Sequence, residues 1–320
     1  MYTGEVIHKN TQRKEREQWG ETGKEQTIKE AEGTGQDASA CNMVCTLSAP
    51  KTHQKGAENM EIITICAFKG GSGKTTTAQT LAAGLSGKGF RVLAVDTDRQ
   101  TNLTTHSGIN ANQCKANIFT LFCDIKDERP LNVQEAIVKA EAYDLIPATN
   151  KLDDADFIFY SAIQWQGAIK SILEQVANQY DYCIIDTNTN PGLMTRAAIY
   201  AADKIIIPIE PSIDHFQGLA QVIKRVNDIR KEAAPALKID GILLVKTNLQ
   251  TTAHKMTYNQ ITQFAEAVGV RVYKSFIRKA SAVEESQIIQ QSIFEYAPKS
   301  KPAGDYTNFI NEFLKGEAEQ

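Results

Sequence analysis

An apolar, largely β-branched run, EIITICAF (61–68), leads straight into a glycine-rich turn and leaves it as a helical stretch, KTTTAQTLAAGLSGKG. A buried strand that turns on Gly70, Gly71 and Gly73 into a helix is a phosphate-cradle design. The backbone N–H groups of Gly70 to Thr75 and the helix N-terminus offer a nest for phosphate oxygens. Lys74 is placed to reach phosphates, and the Thr75 hydroxyl to ligate a divalent cation. The ordinary spacing of such loops puts a glycine six residues before the lysine, yet Phe68 stands there and a second lysine, Lys69, follows it. One loop with two lysines needs an explanation.

The rest of the chain repeats the strand–helix alternation. RVLAVDTD, YDYCIIDT, KIIIPIEP, IDGILLVKT and RVYKSFI read as further strands, with helix-like segments between them. Such alternation predicts an α/β fold, a doubly wound and mostly parallel sheet with helices on both faces. Residues 60–320 read as one domain. Residues 1–58 are polar, with Trp19 as their one tryptophan and no sustained apolar period, and are expected to be disordered. Met60, directly before the first strand, is a candidate natural start. At 42% hydrophobic and 23% charged residues the composition is that of a water-soluble protein, and no apolar run is long enough to span a bilayer.

The six cysteines have no framework spacing and read as reduced thiols, which implies a cytoplasmic setting. Cys41 and Cys45 lack metal-spaced partners, Cys114 and Cys123 do not suit an iron–sulfur site, and Cys183 is expected to be buried and inert. His8, His53, His106, His215 and His254 form no cluster, so surface or packing roles are expected of them.

Ligands of open α/β sheets sit beyond the carboxyl ends of the strands. Asp96 and Asp98 close the second strand run, and Asp186 ends YCIID as an acid closing an apolar strand. Three carboxylates at strand ends, with the cradle, point to nucleotide phosphates and a magnesium ion.

The loop KGGSGKTT resembles the deviant Walker A loop, K-G-G-x-G-K-[ST]-[ST], of the ParA/MinD superfamily of ATPases. VDTDRQTNLT, YDLIPATNKLDDAD, YDYCIIDTNTNPGL, IPIEPSIDHFQGLAQVI and SIFEYAPKSKPAGDYTNFINEF follow in family order, so the likeness spans about residues 60–315. The resemblance implies a P-loop NTPase fold, ATP and Mg²⁺ as ligands, and slow, partner-stimulated hydrolysis. It implies that Lys69 contacts nucleotide across an ATP-sandwich homodimer, that Lys74 and Asp98 serve hydrolysis, and that Asp98 positions the attacking water. Gly70, Gly71, Ser72, Gly73, Thr75 and Thr76 would hold nucleotide, Asn248 the adenine, and Asp96 and Asp186 the magnesium shell. By the same resemblance the partners are a second copy, non-specific DNA and a ParB-like or cargo-adaptor stimulator, in a nucleoid-associated cycle that moves plasmid, chromosome or protein cargo.

The chain departs from the family pattern at switch positions. Arg99 and Thr101 stand for a usual proline and glycine, Asn188 and Thr189 for two prolines, and Arg278 for another proline. From Phe216 to Lys301 there are 13 Lys/Arg against 7 Asp/Glu, and the last 19 residues hold 1 against 4. In LAQVIKRVNDIRKEA, Leu219, Val222, Ile223, Val226 and Ile229 recur at helical spacing and should face the core. Lys224, Arg225 and Lys231 are then left to solvent, with Arg230 nearer the stripe's edge. These four are either a solvated face or contacts to DNA phosphates.

Two other readings stand beside the partition ATPase. A MinD-like membrane cycle needs a basic amphipathic tail, and DYTNFINEFLKGEAEQ ends acidic. A metabolic P-loop enzyme, either an iron–sulfur reductase or a small-molecule ligase, lacks a suitable cysteine pair for the first and is opposed by Lys69 for the second.

Overall fold

The computed structural model describes residues 60–159, 163–248 and 251–318. The expectations for residues 1–58, including Trp19, His8, His53, Cys41 and Cys45, fall outside them. Among the described residues eight strands form one sheet: β1 Glu61–Ile65, β2 Val92–Asp96, β3 Val138–Lys139, β4 Asp144–Ile146, β5 Tyr182–Asp186, β6 Lys204–Ile209, β7 Lys238–Thr247 and β8 Val272–Arg278. Their order across the sheet is β3-β4-β2-β5-β1-β6-β7-β8. Every pairing is parallel except β3 with β4. The six strand runs predicted from sequence are all present. The edge pair β3–β4 was not foreseen, because strands of two and three residues carry almost no periodic signal.

The first described strand, β1, lies inside the sheet and later strands are added on both sides of it, which separates the connections at β1 and opens a crevice above the strands' carboxyl ends. Strand alternation divides the core in two. Ile63, Ile65, Val92, Ala94, Tyr182 and Ile184 face the helix Lys74–Ser86 and the last helix, Lys301–Ala318, whose Phe309 and Phe313 are fully buried there. Leu93, Val95, Cys183 and Ile185 face the opposite layer, built by the helices Ile118–Lys126, Ala168–Glu174 and Leu193–Ala201. Ile205, Ile207 and Ile209 pack beside it under the helix Ile213–Glu232.

Helix starts follow local chemistry. Asn117 and Thr120 form a capping box, Ser212 accepts the His215 N–H, and Gly73 supplies a left-handed N-cap at φ 78°. Gly84 lets the first helix and the last approach closely, since a Cβ there would lie 2.2 Å from Ile310 Cδ1 and 3.0 Å from Phe294 Cε2. No helix among the described residues is long and apolar enough to cross a membrane.

Candidate nucleotide site

The period of two along a strand explains the carboxylates. Asp96 and Asp186 stand in register on adjacent strands, and each shares its strand face with residues that pack under the helix Lys74–Ser86. The N-terminal turn of that helix brings Lys74 and Thr75 over them. The loop between β1 and the helix folds back with Gly71 at φ 74° and Gly73 at φ 78°, left-handed conformations that glycine adopts without steric penalty.

The contacts are short. The Thr75 hydroxyl donates to Asp186 Oδ2 at 2.6 Å. Asp96 Oδ2 accepts from the Thr104 N–H at 2.9 Å and from its hydroxyl at 2.7 Å, and Asp96 Oδ1 accepts the Asp98 N–H at 3.0 Å. Asp98, half-buried, accepts the Gln100 N–H at 3.0 Å. Lys74 is only 6% exposed, and Asp96 and Asp186 are 0% exposed.

Electrostatics follow from this burial. Desolvation pushes the Asp186 carboxyl well above its usual range, Asp96 pushes it further, and Thr75 and Lys74 oppose the rise. Burial raises Asp96 to about 6 against three hydrogen bonds that lower it. Burial also lowers Lys74, with Asp186 the largest opposing influence. Cys66, at the loop's entrance, is held up at about 12 by burial. Buried Cys183 is raised by burial as well, in keeping with an inert thiol.

A magnesium ion fits these residues. Asp186 Oδ1 is buried with no hydrogen-bond partner, while its other oxygen already orients the Thr75 hydroxyl, so one carboxylate lone-pair set and one hydroxyl oxygen are presented together. Two nearby carboxylates that resist ionisation together are an environment a divalent cation relieves. Ser72 Oγ, in the cradle, is a second buried polar atom without a partner. Among the described residues no group of three His, Cys, Asp or Glu could hold a metal alone. Magnesium commonly binds through one or two carboxylates plus phosphate oxygens and water. Asp96 differs from Asp186: its oxygens take three hydrogen bonds, which fix Thr104 and the backbone that carries Asp98. Magnesium bound with ATP would neutralise phosphate charge as the terminal bond breaks.

The other predicted residues are placed as follows. Lys69, Gly70 and Gly71 are exposed. The Thr76 hydroxyl accepts from Gln287 Nε2. Asn248 is exposed just past β7, its N–H donating to His254 Nδ1 at 3.0 Å. A cleft beside the loop is lined by Gly73, Thr76, Val245, Lys246, Ala280 and Tyr306 among others, and Asn248 is not among its lining residues.

On the basic helix the apolar stripe is buried as expected, and Lys224, Arg230 and Lys231 are exposed, whereas Arg225 is half-buried. The expected order is therefore corrected: Arg225, not Arg230, is the partly covered cation. Arg230 lies in the last turn beside exposed Lys231, Glu232 and Ala233, although its neighbour Ile229 is buried.

The departures from the family pattern are structurally absorbed. Arg99 pairs with Asp153. Asn188 Oδ1 accepts the Asn190 N–H at 2.9 Å and lies 2.9 Å from the Thr195 hydroxyl, so an asparagine turn ties this segment to the next helix. Arg278 grips Asp305 of the last helix with two side-chain bonds, of 2.7 and 2.8 Å. Thr101 keeps the left-handed conformation, φ 54°, in which a glycine would be unstrained.

Two residues at the loop were missed by sequence reasoning. Lys246 Nζ donates to the Gly71 carbonyl at 2.9 Å, and His215 Nε2 lies 3.3 Å from the Gly70 carbonyl. The one available signal was position: Lys246 lies in the last residues of β7 and His215 in the first turn of the helix after β6, both at the carboxyl end of the sheet.

Comparison with known proteins agrees with this geometry. A family model described as "AAA domain" matches residues 60–239. The sporulation initiation inhibitor protein Soj of Bacillus subtilis is 33% identical over 258 residues, covering 79% of this chain and 97% of Soj. The chromosome partitioning protein ParA of Myxococcus xanthus is 28% identical over 256 residues, covering 79% and 88%. An ATP complex of a McdA variant from Cyanothece superposes with a TM-score of 0.71 at 23% identity, over 81% of this chain and 97% of that one. Cobyrinic acid a,c-diamide synthase from Mycobacterium smegmatis, with bound ATP analog and magnesium, gives 0.70 at 24% identity, over 80% and 94%. The last two are likenesses of fold. A deviant phosphate loop over a buried pair of aspartates, in a chain this similar to Soj, makes this protein a member of the ParA/MinD superfamily, an ATPase of the ParA partition type.

Proposed function

We propose that the protein is a nucleotide-driven switch: two copies close over ATP, the closed pair holds DNA without sequence preference, and hydrolysis releases it. The observation that carries the reading is the contrast between the loop's two lysines. Lys74 is buried and acts with Asp186 inside its own site. Lys69 is exposed, and in this reading it reaches the phosphates bound by the second copy. A further positive charge arriving from the partner would offset charge on the transferring phosphoryl group. In this reading Asp98 positions the attacking water, Thr75, Asp186 and Asp96 serve the magnesium shell, and Asn248 meets the adenine. The exposed Lys224, Arg230 and Lys231 contact DNA phosphates, with Arg225 at their margin. The cargo is a plasmid, a chromosome or a protein assembly on the nucleoid, engaged through a ParB-like or adaptor protein that stimulates hydrolysis. Residues 60–320 form the ATPase domain and residues 1–58 a polar extension.

The membrane-cycling alternative is disfavoured by one observation. Of Phe309, Ile310, Phe313 and Leu314, the residues an amphipathic anchor would present to lipid, the first three are buried in the core and Leu314 is half-buried against it.

The test is dissociation from arbitrary duplex DNA. MgATP should slow release, and both Lys74→Ala and Lys69→Ala should abolish the effect, the second while leaving MgADP affinity intact. Raising salt should weaken the complex steeply. Equal DNA affinity with and without ATP would overturn the proposal.

A further inference from the structure

We infer that Lys246 and His215 are positioning residues of the phosphate loop, which fix the direction of its N–H groups by holding two successive carbonyls from outside. Lys246 donates to the Gly71 carbonyl at 2.9 Å, and His215 meets the Gly70 carbonyl at 3.3 Å. In a planar trans peptide the C=O of one residue and the N–H of the next point in opposite directions. A held Gly70 carbonyl therefore sets the Gly71 N–H, and a held Gly71 carbonyl sets the Ser72 N–H. Both N–H groups belong to the cradle. Left alone, the glycines would let these peptide planes rotate, since glycine has the widest backbone freedom.

Each clamp is itself built. Lys246 sits near the end of β7 at φ 51°, a left-handed conformation that a long L side chain keeps only where its surroundings hold it. The pairing of β7 with β8 slips between Leu244 and Thr247, which frees the backbone to make that turn. The strand end lies against the loop: a Cβ on Gly73 would come within 3.1 Å of Val245 Cγ2. On the other side, Ser212 Oγ is 2.6 Å from His215 Nδ1. With the serine hydroxyl donating to Nδ1, the ring proton resides on Nε2, the atom that faces Gly70. A side chain on Gly218, one turn further along the same helix, would come within 3.8 Å of Lys69 Cβ, so this helix flanks the whole entry of the loop. Lys246 also adds an ammonium group beside a loop that takes up a polyanion, which Lys74 alone does not neutralise.

The inference rests on nucleotide binding alone and not on DNA or dimerisation, so it is tested on the full chain without DNA. Fluorescent MgADP affinity is measured for Lys246→Met, Lys246→Arg and His215→Ala, alongside melting of the nucleotide-free proteins. Lys246→Met is expected to bind about tenfold more weakly, as loss of one charge-assisted hydrogen bond implies. Lys246→Arg should return to within about threefold of the parent, and His215→Ala should lose about threefold, the effect of a longer, neutral bond. Nucleotide-free melting of Lys246→Met should match the parent. Unchanged affinity in Lys246→Met overturns the inference. So does a loss that Lys246→Arg fails to restore, which would make Lys246 a mere prop of the strand end.

Discussion

Thr101 gives the sharpest test of how this backbone is strained. It caps the helix Asn102–His106 at φ 54° and ψ 29°, and its side chain makes no capping hydrogen bond. The backbone there is held by the Thr101 N–H on the Asp98 carbonyl at 2.9 Å and by the Thr105 N–H on the Thr101 carbonyl at 2.9 Å. These bonds dictate the conformation whatever the side chain. A left-handed L-residue costs about 1–2 kcal/mol, and a β-branched one belongs at the upper end. Glycine removes that strain but adds about 0.4–1 kcal/mol of unfolded-chain entropy. Thr101→Gly should therefore stabilise the protein by about 1–1.6 kcal/mol, a rise of roughly 2–6 °C in melting temperature for a domain of this size. Thr101→Ala, which loses the branch but keeps a Cβ, should fall between the two. Urea midpoints at constant slope are the assay. A Thr101→Gly protein no more stable than the parent, with the slope unchanged, would refute the claim that strain is stored at this switch.

Three further outcomes are expected. MgADP at about one hundred times its dissociation constant should stabilise the protein by about 2.7 kcal/mol, or roughly 5–10 °C, and Lys74→Ala should abolish that shift in a thermal melt. Gly84→Ala should destabilise by about 1–2 kcal/mol in urea, because crowding against Ile310 and Phe294 exceeds the gain in helix propensity. Asp96 has a folded-state pKa of about 6, above its unfolded value, so its contribution to stability is full below about pH 4 and is lost as pH rises through 6. That loss amounts to about 3 kcal/mol. Urea titrations of the metal-free protein should show Asp96→Asn with a shallower decline over this window, and an unaltered slope would contradict the burial argument.

Much of the site was legible in the chain because it is local. A phosphate loop is one continuous turn, so Gly70 to Thr75 announce it by spacing. Asp96 and Asp186 close apolar runs, and strand ends are where an open sheet exposes a crevice. The six longer strands and the buried stripe of the basic helix were readable for the same reason, since burial imposes periods of 2 and 3.6 on neighbouring residues. Tertiary structure decided what depends on register and on distant approach. Only the pairing of β2 with β5 sets Asp96 beside Asp186, whose carboxyl it raises beyond the effect of burial, and only the packing of β7 and the helix after β6 brings Lys246 and His215, 175 and 145 residues away, onto adjacent glycine carbonyls. The half-burial of Arg225 and the exposure of Arg230 depend likewise on how neighbouring elements pack around the helix. The order of residues along a chain encodes which surfaces must be buried. Which atoms then meet across the sheet is fixed by how those surfaces pack, and no spacing within a single segment contains it.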